Sequence, residues 1–228
     1  MEQNGRKTIA QQTITSQVVE NLRRDILSKQ IPTGSHIGVK EIAERYGVSN
    51  MPVREAFFTL AAEKLIEMSP YKGAEVLPIN RRFIADIYEI QGVLEELMNV
   101  KTMPLLSPDD INRLKQINRQ MQSVEDTPFG HQEYLRLNEM FHELVYEKSP
   151  NAFAAERWRY YHQIIRMLWT NYERVYDRMK QACEEHSILI DAFEAQDAEA
   201  VRRVMYMHTN HAKETFLRQY AGDDGEED

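Results

Sequence analysis

The chain has 228 residues, of which 42% are hydrophobic, so it can form one large domain or two small ones around a buried core. No apolar run reaches the length of a bilayer span and there is only one cysteine, Cys183, which argues against a membrane protein or a disulfide framework and predicts a cytoplasmic location. The net charge of −8 is uneven: residues 1–78 carry 10 Lys+Arg and 9 Asp+Glu, whereas residues 79–228 carry 18 and 27. A surface that faces phosphate groups is therefore expected only in the N-terminal part.

The N-terminal third has the pattern of a winged helix-turn-helix. Residues 1–12 are predicted to be flexible and lack the apolar core of a signal peptide. Apolar residues at helical spacing then predict three helices, at 13–29, 40–46 and 49–64. The segments 66–68 and 74–77 flank a turn sequence and predict a β-hairpin wing. The predicted DNA-binding domain is 13–78.

The turn before the third helix has its own punctuation. Gly47 is expected to end the second helix in the left-handed conformation, and Ser49 to cap the third. Pro52 falls within the first turn, where a missing N–H is tolerated.

The start of the third helix is predicted to lie in the major groove of double-stranded DNA. Arginine can bond to guanine and asparagine to adenine, and a glycine in the wing permits close approach to the backbone. The candidate contact residues are Lys40, Asn50, Met51, Arg54, Lys72 and Gly73.

The remainder reads as an all-helical domain over residues 79–220, followed by an acidic tail, 221–228, that is predicted to be disordered. Helices are expected at 80–103, 107–123, 129–148, 151–173, 175–195 and 197–220. The predicted fold is mainly α: a winged helix-turn-helix followed by an antiparallel bundle of six to seven helices.

Three of the seven histidines lie within apolar stripes on three different helices: His142, His186 and His208. Each can be a hydrogen-bonded core residue, but three buried imidazoles without partners are costly. A shared metal or anionic ligand would satisfy them together. Neutral imidazoles suit zinc, nickel, copper or iron, and an added oxygen ligand also admits manganese. Asn138 lies four residues before His142, on the same helix face, and can supply that oxygen. Arg82 and Arg166 are further polar candidates for the same cavity.

The sequence "EIAERYGVSNMPVREAFFTLAAEKLIEMSPYKGAEV" resembles the winged helix of the GntR family, most specifically at "GVS" and "PVREA". The resemblance implies DNA contacts by Lys40, Asn50, Arg54 and Gly73, with Met51 and Lys72 as neighbours. Asn50 stands where the family commonly has arginine, which puts the operator preference in doubt.

The helical part resembles the FCD ligand-binding domain of the FadR subgroup. The resemblance rests on "EIQGVLE" (89–95), "NEMFHEL" (138–144), "EHSILIDAFEAQDAEA" (185–200) and "MYMH" (205–208). Many members hold a divalent metal with one aspartate and three histidines, which implies Asn138, His142, His186 and His208 here. Asn138 replaces the aspartate, so we expect weaker metal binding. Gln91 replaces an arginine that often binds a carboxylate effector, which implies a less acidic effector or a different binding mode.

Together these features predict a transcriptional regulator, a repressor that binds a palindromic operator as a homodimer and responds to a small organic acid. A metal-free sensor of acyl-CoA or fatty acids with the same architecture is the alternative. A metallohydrolase with three histidine ligands, fused to a DNA-binding module, is the other. We expect no enzyme, because the sequence has no evident general base, nucleophile elbow or glycine-rich phosphate loop.

Overall fold

The computed structural model of the chain describes residues 13–69, 73–169 and 176–220. The described residues form two compact units that divide between Ile79 and Asn80. Several sequence-based expectations lie outside the described residues: the flexible N-terminus, the turn of the wing with Lys72, the junction of the helices predicted at 151–173 and 175–195, and the acidic tail.

The first unit contains three helices and a small sheet. The elements are α1 (Ile14–Leu27), β1 (His36–Ile37), α2 (Val39–Tyr46), α3 (Asn50–Ala62), β2 (Ile66–Ser69) and β3 (Gly73–Val76). Helices α1 and α2 both pack against α3. The packed surfaces are apolar, with Leu22, Ile26, Ile42, Phe57 and Leu60 fully buried. Ala61, which the periodicity predicts on the buried face of α3, is only half-buried.

The turn between α2 and α3 follows from its residues. Gly47 adopts the left-handed conformation, with φ 66°, and ends α2 as expected. Ser49 occupies the position before α3, but its hydroxyl makes no capping hydrogen bond. The third residue of α3 is Pro52, which has no N–H, so one of the two usual donors to such a cap is absent.

The sheet has one strand more than the sequence pattern predicts. Strands β2 and β3 form the expected antiparallel hairpin, and β1 pairs with the other edge of β3, giving the order β1-β3-β2. Strand β1 is only two residues long, too short to show the alternation that identifies a strand in sequence.

The second unit is helical throughout its described residues. Its elements are α4 (Arg81–Thr102), a 3₁₀ turn (Met103–Leu105), α5 (Pro108–Gln122), α6 (Pro128–Tyr146), α7 (Ala152–Trp169), α8 (Tyr176–Ala195) and α9 (Ala198–Tyr220). Side-chain caps begin α4, α5 and α6: Asn80, Ser107 and Thr127 each accept a hydrogen bond from a backbone N–H of the first turn. The helices lie within a few residues of their predicted limits. Across the described residues, no helix combines the length and apolarity that a bilayer span needs.

Helix α4 places a polar stripe inside this unit. It packs against α6, α7 and α9, and its side chains Gln91, Glu95, Asn99 and Thr102 are all buried. Their spacing of four, four and three residues puts them on one helix face. Buried polar side chains need hydrogen-bond partners. Glu95 and Asn99 find theirs on α6, α7 and α9.

Candidate functional site

The first turn of α3 presents a free polar face. Asn50 and Arg54 are exposed and Met51 is 65% exposed, whereas Val53, one position from Arg54, is fully buried. Within the described part of the chain, the side chain of Arg54 has no acidic partner and makes no hydrogen bond. Its guanidinium is therefore available for an external acceptor.

Of the other candidate DNA contacts, Lys40 is exposed on a helix, whereas Gly73 is enclosed by the sheet. Lys40 projects from the first turn of α2 with its side chain 86% exposed, near Glu44 at 3.8 Å. Gly73 begins β3 with φ 98°, and a Cβ atom there would lie 2.2 Å from the Ile37 carbonyl oxygen. Only glycine fits this position, so Gly73 is required by the sheet itself.

Three helices bring the predicted histidines together. His142 on α6, His186 on α8 and His208 on α9 each offer a ring nitrogen, and these three atoms lie within 4.8 Å of one another. All three residues are buried. The ring of His186 stacks on Phe141, with centroids 4.1 Å apart, which fixes the orientation of the imidazole.

The surroundings of His142 and His186 favour neutral imidazole rings. Burial, followed by the nearby His208 and Arg178, holds the pKa of His142 well below its ordinary value. Burial, then His208, His142 and Arg178, does the same to the pKa of His186. A neutral ring keeps a lone pair for a metal ion, so the environment preserves the ligand form.

A buried carboxylate orients the third histidine. Glu185 Oε2 lies 2.7 Å from His208 Nδ1 and 2.9 Å from Arg178 Nη2, and Oε1 lies 2.6 Å from His211 Nδ1. Burial alone would raise the pKa of Glu185, but the hydrogen bond from His208 and the charge of Arg178 outweigh it and lower the pKa to about 2. An ionised carboxylate only accepts, so both histidines donate from Nδ1. The Nε2 atom of His208 is left for a ligand.

His142 and His208 border a cavity of about 90 Å³ in the second unit, and His186 lies beside them. Asn138, Gln91 and Arg166 also line it, as the sequence predicts. Arg166 is exposed, however, and pairs with Glu139 at 2.7 Å. Arg82 does not border the cavity: it lies on the first turn of α4, where it pairs with Asp86 one turn further along.

The lining carries buried polar atoms that lack a hydrogen-bond partner in the structure. They are Gln91 Oε1, His131 Nε2, His162 Nδ1, Arg178 Nη1 and, next to the cavity, both ring nitrogens of His186. Buried polar groups are almost always paired, so such a concentration indicates a place where a ligand supplies the partners.

Sequence reasoning missed several residues of this site. Arg178, Glu95, His131 and His162 border the cavity, and Glu185 supports His208. One signal was available: Glu185 and His186 lie seven and eight residues after Arg178, so all three lie near one face of α8. Glu95 ends the motif "EIQGVLE", but the sequence does not show its contacts with Trp158 on α7 and Thr209 on α9, far along the chain.

Two protein families match this chain. Residues 14–76 match the bacterial regulatory proteins of the gntR family, and residues 86–211 match the FCD domain. The second match covers more than half of the chain, and the two together span both units.

Individual proteins are also similar to this chain over most of its length. The HTH-type transcriptional repressor RspR of Escherichia coli is 24% identical over 216 residues, 93% of each chain. The gluconate operon transcriptional repressor of Bacillus subtilis is 27% identical over 192 residues, 78% of this chain and 71% of that one. The solved structure of Escherichia coli McbR/YncC superposes with a TM-score of 0.66 at 21% identity, over 92% of this chain and all of that one, which shows a shared fold.

The chain belongs to the GntR family of bacterial transcriptional regulators, with an FCD domain as its second unit. This confirms both the resemblance and the predicted fold class.

Proposed function

We propose that this GntR-family member is a ligand-responsive repressor of the FadR subgroup. In this proposal it acts in the cytoplasm, binds a palindromic operator as a homodimer, and senses a small organic acid in the cavity of its FCD domain. A divalent metal ion, zinc, nickel or manganese, is held there by the histidine cluster.

The exposed first turn of α3 supports the DNA-binding part. Asn50, Met51 and Arg54 stand in solvent at the end of the helix that enters the groove in helix-turn-helix proteins. One such helix reads few bases, and two half-sites in a dimer multiply the contacts. Repression is inferred from the relatives that are named as repressors.

The unpaired nitrogens of His186 are the observation that carries the metal proposal. Both are buried without a partner, within reach of nitrogens from His142 and His208. A bound cation would satisfy the cluster and offer a positive charge to an acidic effector. Asn138 lines the same cavity and would add a neutral oxygen, a weaker ligand than the carboxylate of aspartate.

Regulation requires that the effector bind one state of the protein more tightly than another. A ligand with equal affinity for the DNA-bound and released states shifts neither population. The proposal is therefore that effector and operator have a measurable coupling free energy.

The alternatives fit the cavity less well. A volume of about 90 Å³ suits a molecule of a few heavy atoms better than it suits a long acyl chain. For a hydrolase, the carboxylate bonded to His208 is a poor general base, because the pKa of Glu185 is lowered to about 2, well below a neutral working pH. The curated relatives cited above are named as regulators.

Selection of bound fragments from a pool of genomic DNA tests the function. We expect the full chain to enrich a short palindrome, and Arg54→Ala to bind it roughly 10- to 100-fold more weakly in a mobility-shift assay. Arg113→Ala, which removes an exposed arginine of α5, is the matched control and should bind like the wild type. Failure to enrich any sequence, or normal binding by Arg54→Ala, would count against the proposal.

A further inference from the structure

Arg178 places an incompletely paired cation in the cavity of the second unit. Its side chain is buried, at 7% exposure. The Nη2 atom donates to Glu185 Oε2 at 2.9 Å and to the His208 carbonyl oxygen at 3.0 Å. The Nη1 atom is buried too, yet has no hydrogen-bond partner in the structure. One edge of the guanidinium is thus committed to the protein, and the other lacks an acceptor.

An unpaired donor on a buried charged group is costly, so this edge indicates an acceptor from outside the chain. A guanidinium binds a carboxylate with particular strength, because the donors are charged and their geometry matches the two oxygens. The cavity thus has a position for a carboxylate that the histidines alone do not define.

Gln91 has a buried acceptor without a partner, whereas Arg178 has a buried donor without one. Its Nε2 donates to Glu95 Oε1 at 2.9 Å, whereas its buried Oε1 has no partner. The reverse orientation of the amide would set its oxygen against the Glu95 carboxylate, where two acceptors would face each other. The amide oxygen of Gln91 is therefore the free group, and it requires a donor.

Glu95 gives this part of the cavity a negative charge. Besides Gln91, its carboxylate accepts hydrogen bonds from Trp158 Nε1 at 2.9 Å and Thr209 Oγ1 at 3.0 Å. No cation pairs with it among the described residues. A second carboxylate on the ligand would be repelled here, whereas a hydroxyl or ammonium group would be attracted.

We propose that the cavity binds a small monocarboxylate that also carries a hydroxyl or ammonium group: Arg178 Nη1 binds the carboxylate, and Gln91 Oε1 accepts from the donor group. This rests on the proposed function, in which the cavity is the effector site, and specifies the chemistry of the effector. The volume of about 90 Å³ restricts the ligand to a short carbon chain.

Calorimetric titration of the zinc-loaded full chain tests this with a matched series. The probes are 2-hydroxybutanoate, 2-aminobutanoate, butanoate and 2-hydroxybutanamide. We expect the hydroxy or the amino acid to bind best, butanoate roughly fivefold more weakly because it lacks the donor, and the uncharged amide not to bind. Equal binding of the amide and the acid, or no binding of either substituted acid, would overturn the proposal.

Two substitutions separate the two contacts. Arg178→Lys keeps a charge for Glu185 but removes the free nitrogen, and should weaken binding of the substituted acid by at least about tenfold. Gln91→Met removes the acceptor, so it should weaken the substituted acid to the level of butanoate and leave butanoate itself unchanged. Arg82→Lys, the same exchange outside the cavity, is the control and should bind like the wild type.

Bound zinc is measured in every variant. If Arg178→Lys loses zinc in proportion to the acid, Arg178 supports the histidines and the proposed contact is wrong. DNA selection on the same protein separates the proposed regulatory function from the proposed ligand class. A chain that binds the acids but selects no DNA contradicts the regulatory function alone, and the reverse result contradicts only the ligand class.

Discussion

In the first unit, four of the candidate contact residues stand in solvent near the starts of α2 and α3: Lys40, Asn50, Met51 and Arg54. In the second unit, the candidate ligand groups are mostly buried and come from α4, α6, α7, α8 and α9. An exposed Arg54 costs the fold nothing when DNA is absent. The buried His186 and Arg178 leave polar atoms unpaired until a ligand arrives. Ligand binding should therefore change stability in the second unit far more than substitution of the exposed contact residues Asn50, Met51 and Arg54 does in the first.

The largest effect is expected where backbone geometry in the first unit allows no side chain. Gly73→Ala should reduce the free energy of unfolding by roughly 3 kcal/mol, because the new methyl group would meet the Ile37 carbonyl oxygen at a positive φ. Gly34→Ala is the matched control: φ is 75° but the space is open, so a cost of about 1 kcal/mol is expected. Equal costs in urea denaturation would show that the contact with Ile37 is unimportant.

His162, a half-buried histidine of the second unit, predicts a pH dependence. Burial, followed by the nearby His142, lowers the pKa of His162 to about 3. The unfolded chain binds this proton near pH 6.5, so the contribution to stability is complete above that pH and is lost as pH falls toward 3. His162→Phe keeps an aromatic ring against Trp158 and removes the titration.

Between pH 7 and pH 5, the metal-free wild type should therefore lose about 2 kcal/mol more than His162→Phe. Urea denaturation at the two pH values measures the difference. Parallel losses in the two proteins would mean that His162 is protonated in the folded state.

A smaller effect tests the oxygen ligand in the cavity. Asn138→Asp should tighten zinc binding by about tenfold, equivalent to roughly 1.4 kcal/mol, because it replaces a neutral amide oxygen with an anionic one. Asn112→Asp adds the same charge on the exposed face of α5 and should leave zinc affinity unchanged. If both variants bind zinc like the wild type, Asn138 does not contact the metal.

The two units also differ in how far their sequence predicts them. The turn at Gly47, the exposed residues of α3 and the helix limits follow from local patterns, because each depends on residues a few positions apart. Strand β1 was missed, since two residues carry no periodicity. The histidines were identified by their place in apolar stripes, which marks burial.

Their partners could not be identified in the same way. Arg178 and Glu95 look like ordinary charged helix residues, and only the packing of distant helices buries them beside the cluster. The polar contacts of a buried site depend on long-range packing, and a single sequence does not contain that information in readable form.

The central claim is that the histidine cluster holds a divalent metal ion, and the metal content of the purified protein tests it most directly. The full chain, purified without a histidine tag or added metal, should contain close to one divalent ion per chain by elemental analysis. His186→Leu should contain none and, without metal, should be at least as stable as the wild type, because it removes two unpaired nitrogens. A wild-type protein that is free of metal and gains no thermal stability from zinc, nickel or manganese would contradict the account.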